Sequence, residues 1–122
     1  MTSEAQELRE NIRSQRRATT RAKFEADVAL SDAIKVALAH PSIELLDVQQ
    51  DLDEKTNTNV YRLIRADDIA LVEAPSAEFV SIAEAARLMD VSRTLIRSQI
   101  REGKLAQRVL ATRGDLLVKV PQ

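Results

Sequence analysis

The sequence contains no cysteine and no tryptophan, and Phe24, Tyr61 and Phe79 are its only aromatic residues. The lack of cysteine excludes disulfides, thiolate metal sites and cysteine nucleophiles. The one histidine, His40, is expected near a helix C-terminus, where an imidazole suits the helix dipole, rather than in catalysis. The apolar residues are mainly Ala, Leu, Val and Ile, a mixture that favours helices packed through aliphatic side chains.

Long hydrophobic runs and catalytic motifs are also missing. No apolar run approaches the roughly 20 residues of a membrane helix, and no signal peptide is visible, so we expect a cytoplasmic protein with no membrane partner. A phosphate-binding loop, a nucleophile–base pair and an H-E-x-x-H motif are all absent, which predicts no enzyme and no cofactor. The segment from Asp51 to Arg62 begins like a calcium loop but lacks the central glycine and the final glutamate, so no metal site is expected.

The charge is unevenly distributed along the 122 residues, although the net charge is only −1. Residues 1–76 hold 10 basic and 14 acidic side chains, a net charge of −4. Residues 77–122 hold 8 basic and 5 acidic side chains, a net charge of +3. The C-terminal part of the chain is therefore the basic part.

Residues 1–41 are predicted to form an N-terminal helical region. Ser3 and Gln6 fit a capping box, and Ser31 is a candidate cap for a further helix that His40-Pro41 ends. Residues 42–76 are predicted to form a connecting region with a helix, a break at residues 56–59, and a short strand that ends near Pro75.

Residues 77–122 carry the clearest local signals. Ser81 and Glu84 form a capping box before a helix that ends at Met89. Ser92 is placed to cap a second helix, Arg93 to Glu102, and Gly103 is a natural left-handed stop. Beyond it, two short strands around residues 111–115 predict a hairpin. The fold class is therefore mainly α with a small β-hairpin wing.

The second helix has two different sides. On a helical wheel that starts at Arg93, the three arginines Arg93, Arg97 and Arg101 fall at about 0°, 40° and 80°. Thr94 and Ser98 lie beside them, and Leu95, Ile96 and Ile100 form the opposite, apolar side. Because arginines in one row repel each other, an anion along this face is favoured, and DNA is the obvious candidate.

The stretch "VSIAEAARLMDVSRTLIRSQIREGKL", Val80 to Leu105, resembles the excisionase/MerR-like winged helix-turn-helix of small bacterial antitoxins and prophage excisionases. The resemblance implies that Ser92, Arg93, Thr94 and Arg97 lie at the groove-facing start of a recognition helix. The residues expected at DNA are Ser92, Arg93, Thr94, Arg97, Ser98, Arg101, Lys104, Arg108 and Arg113.

These signals predict a sequence-specific DNA-binding transcription regulator, an antitoxin-like autorepressor that also binds a partner toxin. A homodimer is expected, since operators offer paired half-sites and one such helix makes too few contacts alone. Two alternatives stay open: a phage or prophage excisionase that binds and bends DNA, and a protein-interaction module without DNA binding. A second nucleic-acid arm is an alternative for the N-terminal basic cluster, which otherwise is an ordinary solvated helix face: Arg13, Arg16, Arg17, Arg21 and Lys23.

Overall fold

The computed structural model describes residues 3–121, so Met1, Thr2 and Gln122, which the predicted terminal regions include, lie outside the described residues. The described chain is about 55% helical and has a small four-stranded sheet. No helix in this range is both long enough and apolar enough to cross a membrane. The elements in chain order are α1 (Glu4–Ala39), α2 (Leu45–Asp51), α3 (Asn57–Arg62), β1 (Leu71–Val72), β2 (Phe79–Ser81), α4 (Ile82–Met89), α5 (Arg93–Arg101), β3 (Gln107–Leu110) and β4 (Leu116–Lys119).

Helix α1 is longer than the sequence predicts. The Ser3–Gln6 capping box is confirmed, because the Gln6 backbone N–H donates to Ser3 Oγ and the Ser3 N–H donates to Gln6 Oε1, both at 3.1 Å. The prediction that Ser31 caps a further helix is wrong, since α1 continues to Ala39 without a break. Ser31 is fully buried, and its Oγ accepts a 2.6 Å hydrogen bond from the Arg65 backbone N–H. A serine that has such a partner can remain inside a helix.

The chain divides into two compact units, and the second of them is Glu25–Asp67. The core of this unit is formed by Ile34 on α1, Val48 on α2 and Val60 on α3. The predicted break at residues 56–59 is wrong in its position, because Thr56 starts α3 by accepting a 3.2 Å hydrogen bond from the Asn59 N–H. The chain instead leaves α2 after Asp51. A Thr-Asn pair serves as well for capping a helix as for ending one.

The first unit holds the described residues up to Phe24 and from Asp68 onward. These units differ from the three predicted regions, since the break falls within α1 and not at residue 41 or residue 76. The first unit contains the whole sheet, whose strand order is β1-β3-β4-β2. The predicted hairpin is present as β3 and β4, but each of its edges is paired: β1 runs parallel to β3, and β2 runs antiparallel to β4. The fold is therefore mixed rather than an α structure with an isolated hairpin.

The predicted caps of α4 and α5 are confirmed. Ser81 Oγ accepts from the Glu84 N–H, and Ser92 Oγ accepts from the Leu95 N–H, both at 3.1 Å. Helix α4 ends at Asp90, whose φ of 53° is left-handed, and the turn to α5 is short. Helix α4 packs against β2 and β4, and α5 packs against α4 around one shared core. The buried members of this core are Ala85, Ala86, Ile96, Ile100, Leu105 and Val118.

Gly103 is the residue at which the chain turns from α5 toward β3, with a φ of +75°. A Cβ added there would meet no heavy atom within 4 Å, so a substitution meets backbone strain alone. We expect Gly103→Ala to lower the free energy of unfolding by about 1 kcal/mol, because alanine disfavours the left-handed region. Urea unfolding followed by far-UV circular dichroism measures this. Gly103→Asn should cost less, since asparagine tolerates that conformation. Equal stability of the alanine variant and the parent chain would contradict the prediction.

Candidate nucleic-acid interface

The three arginines of α5 lie on its solvent side. Arg93, Arg97 and Arg101 are all exposed, whereas Ile96 is fully buried and Ile100 is 9% exposed. The helix therefore presents its basic row on the solvent side and buries Ile96 and Ile100 on the adjoining apolar side, as the wheel predicts. Leu95, expected on the underside, is 42% exposed. It lies about 100° from Ile96 around the helix, at the border between the two sides.

None of the three arginines has an acidic partner among residues 3–121, since no carboxylate oxygen lies within 4.0 Å of their guanidinium nitrogens. The contrast with α4 is direct, because Arg87 there is paired with Glu84 one helical turn away. The hydrogen bond from Arg87 also lowers the pKa of the Glu84 carboxyl. The positive charge of α4 is thus compensated within the helix. The positive charge of the arginine row of α5 is not compensated by an ion pair among the described residues and is available to an anionic ligand.

The three hydroxyl side chains of the site differ in their exposure and in whether they already have a hydrogen-bonding partner. Ser92 Oγ already accepts the hydrogen bond that caps α5. Thr94 is exposed in the first turn of the helix, beside the arginine row. Ser98 is half-buried, with its Oγ 3.5 Å from Glu102 Oε1. Thr94 is therefore the hydroxyl best placed for a ligand.

Lys104, which the sequence includes in the site, lies next to an acidic neighbour. Its Nζ is 2.9 Å from Glu102 Oε2. The hydrogen bond and the charge of Lys104 lower the pKa of Glu102, and Arg101 adds a smaller effect in the same direction. Glu102 is consequently ionised at neutral pH and neutralises the ammonium beside it, so Lys104 adds little net positive charge.

Arg108 and Arg113 lie on the β3–β4 hairpin in different settings. The Arg108 guanidinium stacks 4.5 Å from the centroid of the Phe79 ring and donates a 3.1 Å hydrogen bond to the Asp68 carbonyl. These two contacts join β3 to β2 and to the segment before β1. Because the Arg108 side chain is only 24% exposed, it is poorly available to a ligand. Arg113 is exposed at the hairpin tip, where its Nε is 3.4 Å from Asp115 Oδ2.

The structure thus brings six of the nine predicted residues together on α5 and its cap, and Lys104 follows directly after them. The setting of Arg108 could not be read from the sequence, because its partners belong to segments about thirty or forty residues earlier. The N-terminal basic cluster is partly compensated, since Arg13 lies 2.7 Å and Arg17 lies 3.8 Å from the Glu10 carboxylate. Among residues 3–121, no group of three histidine or acidic side chains is arranged to hold a metal ion.

Comparison with family models, with curated proteins and with solved structures gave no match to the chain.

Proposed function

We propose that residues 77–122 form a winged helix-turn-helix whose α5 binds the major groove of duplex DNA. The observation that carries the proposal is the row of Arg93, Arg97 and Arg101, which is exposed, has no acidic partner among the described residues, and lies beside a buried aliphatic side. Three like charges in one row cost a few tenths of a kcal/mol per pair in the free protein. A polyanion along the row reverses that cost.

The dimensions suit this ligand. From Arg93 to Arg101 the helix rises about 12 Å, at 1.5 Å per residue, and a helix about 10–12 Å across fits a major groove about 12 Å wide. Arginine can bind guanine through two hydrogen bonds or hold a phosphate, so the same row supports both base reading and backbone contact. Arg113 at the hairpin tip lies near the same duplex in the manner of a wing, but its neighbour Asp115 reduces its attraction for a phosphate.

The proposed biological role is an antitoxin-like autorepressor, which matches the resemblance of Val80–Leu105 to the DNA-binding regions of such proteins. The unit Glu25–Asp67 supports the part of this role that needs a protein partner, because it has its own core and exposes Leu46 and Tyr61 by 56% and 57%. A reporter gene placed under the control of the promoter region of the gene that encodes this chain tests the role directly. Wild-type protein should repress the reporter, and full expression in its presence would exclude autorepression.

DNA binding itself is tested by anisotropy titrations of the full chain on a labelled mixed-sequence duplex between 50 and 300 mM salt. The logarithm of the binding constant should fall linearly with the logarithm of the salt concentration, with a slope of about −0.9 for each phosphate contact. A slope near zero, or no binding at 50 mM salt, would exclude the proposal.

Arg97→Ala isolates the middle of the row. We expect it to weaken binding to the preferred site by about 1–3 kcal/mol if Arg97 reads a base, and to flatten the preference between sequences. Arg62→Ala is the matched control, since Arg62 is also an exposed arginine on a helix but lies in the other unit. Equal affinities of the two variants for the preferred site would show that Arg97 makes no specific contact.

A further inference from the structure

A largely apolar stripe along α1 is exposed to solvent. In the first half of the helix its members are Leu8, Ile12, Gln15 and Thr19, spaced alternately by four and three residues. Leu8 is 60% exposed and Ile12 is 68% exposed, and the other two are exposed as well. Leu8 and Ile12 lie one helical turn apart and so form a contiguous exposed apolar patch, the kind of feature that marks an interaction site.

The same spacing continues without interruption through the second half of α1. Its members there are Ala22, Ala26, Ala29, Ala33 and Val36, all exposed, with Val36 at 74%. An alternating spacing of four and three residues is the seam of a coiled coil, and here it extends over four heptads. The residues of α1 that the chain itself buries lie on other positions of the helix: Thr20, Ser31 and Ile34. The stripe is therefore a second apolar face, which the monomer does not use.

We propose that this stripe binds the same stripe of a second copy of the chain, with the two α1 helices antiparallel and the twofold axis near Ala22. The side-chain sizes support this arrangement. In this register Ile12 faces Ala33, Gln15 faces Ala29, and Thr19 faces Ala26 of the other copy, so a larger residue meets a small one at these three levels. Leu8 then faces Val36 at each end of the seam, and the two copies of Ala22 meet at the axis. A parallel pair would place Ile12 on Ile12 and Ala33 on Ala33, which demands different helix separations along one seam.

The charges of α1 favour the same orientation. Residues 4–23 hold six basic and three acidic side chains, whereas residues 24–39 hold one basic and three acidic side chains. An antiparallel pair therefore sets the basic half of each helix against the acidic half of the other. A parallel pair would set the basic halves against each other, at an electrostatic cost.

The two polar residues of the stripe are compatible with burial. Thr19 Oγ1 donates a 2.9 Å hydrogen bond to the Gln15 carbonyl of its own helix, so the Thr19 hydroxyl needs no other partner and its methyl group is free to pack. The Gln15 side chain is then the polar group that favours one register over a slipped one, as a single polar residue does in other coiled-coil seams.

Cysteine crosslinking in the absence of DNA tests the arrangement, because the chain has no cysteine of its own. Ala22→Cys should form a disulfide-linked dimer, since the two copies of residue 22 meet near the axis. Ala33→Cys alone should not, because its two copies lie about 33 Å apart in the antiparallel pair. An equal mixture of Ile12→Cys and Ala33→Cys should give a crosslinked heterodimer. Crosslinking of Ala33→Cys with itself would overturn the antiparallel pairing, and failure of both Ala22→Cys and the mixture to crosslink would overturn the stripe as a dimer interface.

The strength of the interface is measured by sedimentation equilibrium. Ala22→Glu places two carboxylates together at the axis and should raise the dimer dissociation constant by about 100-fold or more. Ser14→Glu is the matched control, because Ser14 is exposed on α1 but outside the stripe, and this variant should remain as dimeric as the parent chain. Circular dichroism confirms that both variants fold. A monomeric parent chain, or equal effects of the two variants, would overturn the proposal whether or not the chain binds DNA.

Discussion

Replacing Arg93, Arg97 and Arg101 together by alanine should reduce the affinity of the chain for mixed-sequence DNA by about 100-fold or more at 0.1 M salt, the largest loss expected from any surface change. If each arginine neutralises one phosphate, the salt slope should also become shallower by about 2.7. The fold should be retained, because the three side chains are exposed and alanine is a better helix former than arginine. Anisotropy titrations at several salt concentrations give both quantities.

A control for this triple variant must remove the same charge from elsewhere on the chain. Arg9, Lys55 and Arg62 are exposed, and replacing them by alanine changes the net charge equally. Since the electrostatic attraction of DNA is strongest for contacting charges, the control should lose only a small part of its affinity. Equal losses in the two triple variants would mean that net charge alone attracts DNA and that α5 is not the contacting helix.

The second large effect is expected on the stability of the fold, at Ile96 on the buried side of α5. Its side chain is fully buried in the core that joins α4, α5 and the sheet. Ile96→Ala should lower the free energy of unfolding of that unit by about 3–4 kcal/mol, through lost apolar burial and the cavity that remains. Because the chain has two compact units, amide hydrogen exchange is the suitable measurement, and protection should fall in α4, α5 and the sheet.

Leu95→Ala is the natural comparison for Ile96→Ala. The two positions are adjacent on α5 and lose similar side-chain volumes, but Leu95 is 42% exposed. Its loss should cost less than about half as much, since exposed apolar surface contributes little to folding. A larger cost at Leu95 than at Ile96 would show that α5 is rotated from the orientation described, and the arginine row would then no longer face outward.

The parts of the fold that follow from local signals could be predicted. The caps at Ser81 and Ser92 act within three residues, the stop at Gly103 depends on that residue's own backbone, and the hairpin strands are adjacent in the chain. The outward position of the arginine row followed from helix periodicity alone. These features need no knowledge of any distant segment.

Apart from the cap at Thr56, which is local, the missed parts depend on distant partners. The role of Ser31 could not be predicted, because its partner, the Arg65 N–H, lies 34 residues away in the chain. The pairing of β2 with β4 joins segments almost forty residues apart, and a three-residue strand has too short a pattern to predict. The stacking of Arg108 on Phe79 could not be predicted, because it has no signature in the surrounding sequence.

The pairing of β1 with β3 has a practical consequence. Val109 and Ala111 donate backbone hydrogen bonds to the carbonyls of Ala70 and Val72, at 2.9 and 2.8 Å. A fragment that starts at residue 77, where the sequence suggests a boundary, would leave those two N–H groups without acceptors on an unpaired edge of β3. An unpaired edge strand can pair with strands of other molecules and so promotes aggregation. A fragment that carries α5 must therefore reach back at least to Ala70 to keep this pairing.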